Sequence, residues 1–251
     1  MQLWLCPLLA FLLGSIPFGL LIAKAHGIDI RQHGSGNIGA TNVLRVVGRK
    51  AGAACFLLDA LKGFIPVVIA LSLIRIAGKE SGLALPFLRP CAMILPGAQQ
   101  FVAQLLHVIT GLMAILGHNY SPWVGFKGGK GMATSAGVLL GLFPLFGVLL
   151  LALVWLGLFL ATRYVSVASI GAAAALPLVT HLGARFHHVN NDRTLPTLWQ
   201  AGTWNKPLFA FTLAIAILAI WKHRANIRRL LAGSEHRFVP KSKQPNPTND
   251  E

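Results

Sequence analysis

The chain has 251 residues, of which 55% are hydrophobic and only 12% charged, with a mean hydropathy of +0.64. Soluble domains carry about 25% charged residues, so a mostly wet surface is excluded, and the length accommodates several membrane spans of about 20 residues. The net charge of +15 does not indicate nucleic-acid binding, because the basic residues are scattered between apolar stretches rather than gathered on one soluble face; it suits an anionic membrane leaflet and anionic substrates.

Seven apolar segments are predicted as helices, near 2–23, 51–74, 99–117, 131–143, 145–161, 165–182 and 206–221. The fold class expected is all-α, a polytopic membrane bundle of about seven transmembrane helices. No basic region precedes the first segment, as a signal peptide would need, so it reads as a retained helix. The second carries Asp59 and Lys62, three residues apart and so on one helix face. A charge near the bilayer centre costs roughly 3 kcal/mol, so both should face protein. They either neutralise each other to brace the bundle or touch the active-site loops. The fourth segment is short for a crossing and suits a re-entrant element as well. Cys6, Cys55 and Cys91 show no metal or CxxC spacing, and no disulfide framework is implied.

With the N-terminus outside, the loops at 24–50, 118–130 and 162–164 and the tail from 222 lie inside. They hold 15 lysines and arginines against 6 in the outside loops, with Lys62 inside a span. The positive-inside rule therefore favours N-out, C-in. Every segment with site-like chemistry falls on that same inner face.

The first of these is His33-Gly34-Ser35-Gly36-Asn37-Ile38-Gly39-Ala40-Thr41-Asn42-Val43-Leu44-Arg45. Glycines with small hydroxyl and amide residues let backbone N–H groups converge on an anion. A helix starting near Thr41 would aim its positive end there, and Arg45, one turn in, offers a bidentate phosphate clamp. A plain flexible turn is the competing reading. The second segment, Phe126-Lys127-Gly128-Gly129-Lys130-Gly131, sets lysines among glycines, and a lysine reaches phosphate as a point charge on a long stem. Gly131 rather than Ser or Thr follows Lys130, so no Walker loop is present and nucleotide hydrolysis is not supported. The turn could serve topology alone, but the upstream Gly117-His118-Asn119 adds polar groups to the same face. In the tail, His223 and Asn226 share a helix face within the charged run Lys222 to Arg229, which otherwise reads as a solvated helix. His223 is the best-placed base, or else a hydrogen-bond donor to phosphate. The pair His187 and Asp192 has the His-x4-Asp spacing of a different, acyl-CoA-dependent acyltransferase class. It falls in a segment predicted outside and is read as coincidence.

Together these segments resemble the PlsY family of bacterial glycerol-3-phosphate acyltransferases. The match begins at Gly14-Ser15-Ile16-Pro17-Phe18-Gly19, runs from Gly34 to Arg45 and from Gly117 to Gly131, and continues from Arg163 to Ser169 and His223 to Gly233. The resemblance implies transfer of a fatty acyl group from acyl phosphate to the 1-hydroxyl of glycerol 3-phosphate, giving lysophosphatidate for phospholipid synthesis. It implies a catalytic set of Ser35, Arg45, Lys130, Ser166 and His223, with Gly34, Gly36, Asn37, Asn42, Lys127, Gly128, Gly129 and Asn226 binding substrate. It also implies no cofactor and no metal. The expected protein is a monomer of the bacterial inner membrane, with its active site on the cytoplasmic face. Residues 1–239 would form one integral membrane domain and 240–251 a disordered tail. Ile38 stands where the family pattern has proline, which predicts a looser first loop, and the segments 75–98 and 183–206 look like insertions. In the mechanism expected, the glycerol hydroxyl attacks the acyl carbonyl and phosphate leaves. Ser35 and Ser166 donate hydrogen bonds, and the proton passes to His223 or to the departing phosphate. The competing functions are a small-anion transporter, suggested by Asp59 and Lys62 within a span, and a scaffold whose basic loops bind lipid headgroups.

Overall fold

A computed structural model describes residues 4–78, 81–189 and 205–238. Asp192 and the tail 240–251 lie outside the described residues. The chain opens with two helices, α1 (Leu5–Gly14) and α2 (Phe18–Ala25), rather than one continuous helix over 2–23. Pro17 has no N–H to donate and disfavours helical backbone at the residue before it. The carbonyls at the break find side-chain partners. Ser121 Oγ donates to Ser15 O at 2.6 Å, and Lys62 Nζ donates to Ile16 O at 2.6 Å. Trp123 Nε1 adds a bond to Ser15 Oγ at 2.8 Å.

Next come α3 (Ala40–Val46) and α4 (Arg49–Leu73). Ile38 does not loosen its loop. It is 4% exposed and packs in a cluster with Leu20, Ile30, Val43 and Cys55, so an aliphatic side chain anchors the segment from below. After α4, strands β1 (Ile74–Ile76) and β2 (Met93–Leu95) pair in parallel, with Ile74 opposite Met93. This is a small departure from the all-helical expectation. Both strands are short runs of side chains that suit a pleated surface. Ile74 and Leu95 bury against Cys6, Ala103 and Leu106, which fastens the segment 75–98 to α1 and to α5 (Gln100–Asn119).

The remaining helices are α6 (Met132–Leu142), α7 (Leu145–Thr162), α8 (Val165–Val189), α9 (Asn205–Lys222) and α10 (Arg224–Leu231). α1 packs on α5, α4 on α6, α7 on α8 and α8 on α9. Small residues set the closest approaches. A Cβ at Gly14 would overlap Ala114 O, one at Gly63 would overlap Thr134 O, and one at Gly137 would overlap Ala60 O. Backbones meeting through small residues are how membrane helices gain packing without a hydrophobic driving force. The outer surface is apolar. On α7 only Gly147 and Leu151 are buried, while Leu149, Leu153, Leu156 and Leu160 point outward, which fits hydrocarbon rather than water.

Among the described residues, five helical stretches are long and apolar enough to cross a membrane, or six if α9 and α10, bent by 52°, count as one span. α6 has 11 residues. At 1.5 Å per residue it reaches roughly 16 Å, about half of the ~30 Å hydrocarbon core. The described residues thus hold five or six candidate spans where seven were expected, and α6 is a half-length element packed against α4.

Candidate active site

One cavity of about 810 Å³ gathers most of the polar residues singled out above. Its walls come from the segment before α3, from α3 itself and the first half of α4, the start of α6, the facing sides of α7 and α8, and the α9–α10 bend. The two ends differ in chemistry. One carries Ser35, Asn37, Arg45, Lys130, Ser166, His223, Asn226, Arg229 and Glu235. The other is hydrocarbon from Leu139, Leu151, Trp155, Leu176 and Ile215. Trp155 Nε1 is satisfied by Ser169 Oγ at 3.2 Å, which leaves the indole face for the apolar side.

Asn42 organises the first loop. Its Nδ2 donates to Asn37 O at 2.9 Å and His33 O at 3.0 Å, and its Oδ1 accepts from Ser35 N at 3.0 Å. The Asn42 amide thus shapes the loop through both its nitrogen and its oxygen. Gly34 has φ +61, and a Cβ there would overlap Asn42 Oδ1, so glycine at 34 serves that same packing. Asn37 Oδ1 accepts from Gly39 N at 2.9 Å, a local turn of the kind asparagine favours. α3 starts at Ala40, one residue before the expected position, and carries Arg45 to the cavity wall.

The glycine-rich turn separates its two lysines. Left-handed backbone at Gly125 (φ 62), Phe126 (φ 60) and Gly131 (φ 77) reverses the chain. Lys127 emerges exposed, while Lys130 enters the cavity. Gly128 and Gly129 lie against the end of α5. A Cβ at 128 would overlap His118 O, and one at 129 would overlap His118 Nε2. Their missing side chains make room for a neighbouring helix.

The tail contributes a connected polar chain. Lys130 Nζ donates to Asn226 Oδ1 at 2.6 Å, and Asn226 Nδ2 donates to Glu235 Oε1 at 2.6 Å. Arg229 Nε donates to Glu235 Oε2 at 2.7 Å. Glu235 sits on a strap after α10 that folds back: Phe238 N donates to Arg163 O at 2.9 Å, and the Phe238 ring meets Phe159 edge-on. Burial pushes Lys130 down to about 8; Glu235 opposes that shift while Arg229 and Arg45 add to it. Burial also lowers Arg45. The Glu235 carboxyl, which burial alone would raise, is held below its ordinary value by hydrogen bonds led by that from Asn226. The cavity end therefore concentrates Arg45, Lys130 and Arg229 around one carboxylate, an excess of positive charge in a partly dry place that calls for anions.

His223 stands at the bend between α9 and α10 and is 2% exposed. Its Nδ1 lies 2.8 Å from Ala219 O. A carbonyl can only accept, so Nδ1 carries the hydrogen, and in the neutral imidazole Nε2 keeps its lone pair.

Ser35, Asn37, Asn42, Arg45, Lys130, Ser166, His223 and Asn226 thus come together on one cavity, whereas Gly34, Gly36, Lys127, Gly128 and Gly129 do not line it. Sequence reasoning missed Glu235, Arg229 and the whole apolar wall. Glu235 was findable in principle, as a lone acid following a basic run.

A family model described as Glycerol-3-phosphate acyltransferase matches residues 4–233. The Geobacter sulfurreducens glycerol-3-phosphate acyltransferase is 43% identical over 91% of this chain and 94% of its own. The Aquifex aeolicus relative of the same name is 42% identical over 91% and 95%. Among solved structures, PlsY, an integral membrane glycerol 3-phosphate acyltransferase, is 38% identical in two forms. Its glycerol 3-phosphate form superposes with a TM-score of 0.70 and its lysophosphatidic acid form with 0.68, each covering 95% of this chain and 96% of that one.

Proposed function

Since the chain belongs to the glycerol-3-phosphate acyltransferase family, we propose that it moves a fatty acyl group from acyl phosphate to the 1-hydroxyl of glycerol 3-phosphate, yielding lysophosphatidate and inorganic phosphate. The observation that carries this reading is the two-ended cavity. Its cationic end suits two phosphate-bearing substrates, and its hydrocarbon end, between Leu151, Trp155, Leu176 and Ile215, suits an acyl chain. The lysophosphatidic acid form of the PlsY neighbour supports the product.

In this mechanism the hydroxyl oxygen bonds to the acyl carbonyl carbon, the bond from that carbon to the phosphate oxygen breaks, and phosphate leaves with the electron pair. Acyl phosphate is already activated, so the protein's main task is to hold two mutually repelling anions in contact. Arg45 and Lys130 supply the charge, with Ser35 and Ser166 as hydrogen-bond donors. Asn226 orients Lys130 through its 2.6 Å bond, and Glu235 orients Asn226 in turn. His223, with Nε2 unprotonated, is suited to take the hydroxyl hydrogen, whether it keeps the proton or hands it to the leaving phosphate. Asp59 and Lys62, which raised the transporter reading, pair with each other at 2.8 Å and need no ion path to account for them.

The enzyme is further read as a monomer of the bacterial inner membrane, N-terminus outside, C-terminus and active site cytoplasmic. Supporting this, three of the four segments counted as inside by charge, 24–50, 118–130 and the tail from 222, contribute residues to the cavity. The test is transfer to labelled glycerol 3-phosphate by detergent-purified protein, comparing palmitoyl phosphate with palmitoyl-CoA. Labelled lysophosphatidate from the phosphate donor alone is expected. Product from the CoA donor alone would overturn the reading.

A further inference from the structure

Three buried groups near the cavity have no part in the chemistry above. Asp59 and Lys62, a turn apart on α4, form an ion pair at 2.8 Å with both side chains at most 3% exposed. Lys62 Nζ also holds Ile16 O at 2.6 Å, at the break between α1 and α2. The other Asp59 oxygen accepts from Cys55 Sγ at 3.6 Å. Beyond Asp59 stands His118 of α5, its Nδ1 3.6 Å from Asp59 Oδ1. That is outside hydrogen-bond range, but close enough for the carboxylate to favour the hydrogen on Nδ1.

The opposite edge of the same imidazole carries the glycine-rich turn. The Gly129 position admits no side chain because His118 Nε2 occupies that space, with Cε1 and Cδ2 close behind. The backbone joins the same residue, Gly129 N donating to His118 O at 3.2 Å, and Gly128 packs on that carbonyl too. His118, with the Asn119 backbone beside it, therefore forms the floor under the turn, and Lys130 is the next residue along. A buried ion pair adds little stability over apolar residues of like volume, so its presence beneath this turn asks for another reason. Asp59 and His118 do reach the cavity wall. The Asp59 charge is committed to Lys62, however, and would repel a phosphate, so the group acts through the turn rather than on substrate.

The geometry points to Asp59, Lys62 and His118 as a positioning network that seats the Gly128–Lys130 turn and thereby fixes where the Lys130 ammonium meets its phosphate. This rests on the functional reading above. The network is rigid on three sides, through the α1–α2 break, α4 and α5, which is what a support must be if a shift of about 1 Å in a reacting group can cost on the order of a hundredfold.

Two variants test it. Asp59→Asn combined with Lys62→Met removes both charges together and leaves neither ion alone. The expected result is a folded protein melting within a few degrees of wild type, with KM for glycerol 3-phosphate or acyl phosphate raised about tenfold and kcat changed much less. A folded double variant with both KM values within about twofold of wild type would overturn the proposal. So would a protein that fails to fold, because the pair would then be a brace only. The second test uses steric coupling. Gly129→Ala should raise KM by clashing with the imidazole, and adding His118→Ala should recover part of that loss. Independent, multiplying defects would show that the turn does not rest on His118. Glycerol 3-phosphate binding by calorimetry runs alongside. Wild-type protein without turnover defeats the functional reading, whereas normal wild-type turnover with unmoved variants defeats only this one.

Discussion

Lys130→Met is expected to make the protein more stable and less active at once. Lys130 titrates near 8 against an ordinary 10.5, chiefly because it is buried. Holding its charge at neutral pH therefore costs the folded state roughly 3 kcal/mol, at about 1.36 kcal/mol per pKa unit. Methionine removes that cost but forfeits the 2.6 Å bond to Asn226 Oδ1, worth about 1.5–3 kcal/mol as a hydrogen bond to a charged group. The net gain is about 1 kcal/mol, or a rise in Tm of roughly 2–4 °C for a chain of this size. Between pH about 8 and 10.5 the unfolded chain binds the proton that the folded lysine has released, so wild-type stability climbs with pH across that window. The advantage of the variant should shrink as pH rises and be gone above it. In turnover, loss of a charge-assisted phosphate contact of about 1.5–3 kcal/mol lowers kcat/KM by about 10- to 150-fold. Thermal melting of detergent-purified protein at pH 7 and 10.5, with acyl transfer measured beside it, checks both halves. A lower Tm at pH 7 with activity retained would refute the reasoning.

The same lysine predicts that wild-type kcat/KM falls as pH rises above about 8, where the free-enzyme ammonium is lost; Lys130→Arg should move that limb upward. Lys127, exposed outside the cavity, should matter far less, and Lys127→Met should cost at least about tenfold less in kcat/KM than Lys130→Met. Ala173 is buried on the apolar wall, so Ala173→Phe should cut kcat/KM for palmitoyl phosphate by about tenfold relative to a shorter acyl phosphate. Gly137→Ala drives a methyl into Ala60 O where α6 meets α4. It should lower stability by about 1–3 kcal/mol, read as a fall in Tm.

Much of this architecture was legible in the chain because hydrocarbon imposes a simple rule. Apolar runs of the right length announced α4, α5, α7 and α9 within about two residues, and the start of α8. The break at Pro17 was less legible, since hydropathy passes smoothly through Ser15-Ile16-Pro17, and the side chains that stabilise it, Lys62, Ser121 and Trp123, are distant in sequence. Ser35, Arg45, Lys130, Ser166, His223 and Asn226, expected from the motifs and the resemblance they carry, do share one cavity. Which lysine enters the cavity was not legible, because it depends on left-handed backbone at Gly125, Phe126 and Gly131. The acyl wall was hidden for the opposite reason: Leu151 and Leu176 carry the same hydrophobicity as leucines that face lipid. Glu235 lay beyond the last recognisable spacing, on a strap whose return is fixed by tertiary contacts with Arg163 and Phe159.

Direct transfer between two substrates held together in one cavity has no stage at which phosphate could leave early, so rapid measurement of phosphate release separates it from an acyl-enzyme route. Enzyme mixed with palmitoyl phosphate alone should give no burst of phosphate. Adding glycerol 3-phosphate should start release that matches lysophosphatidate one for one. A burst equal to the enzyme concentration before glycerol 3-phosphate is added would reveal an acyl-enzyme and rule out direct transfer.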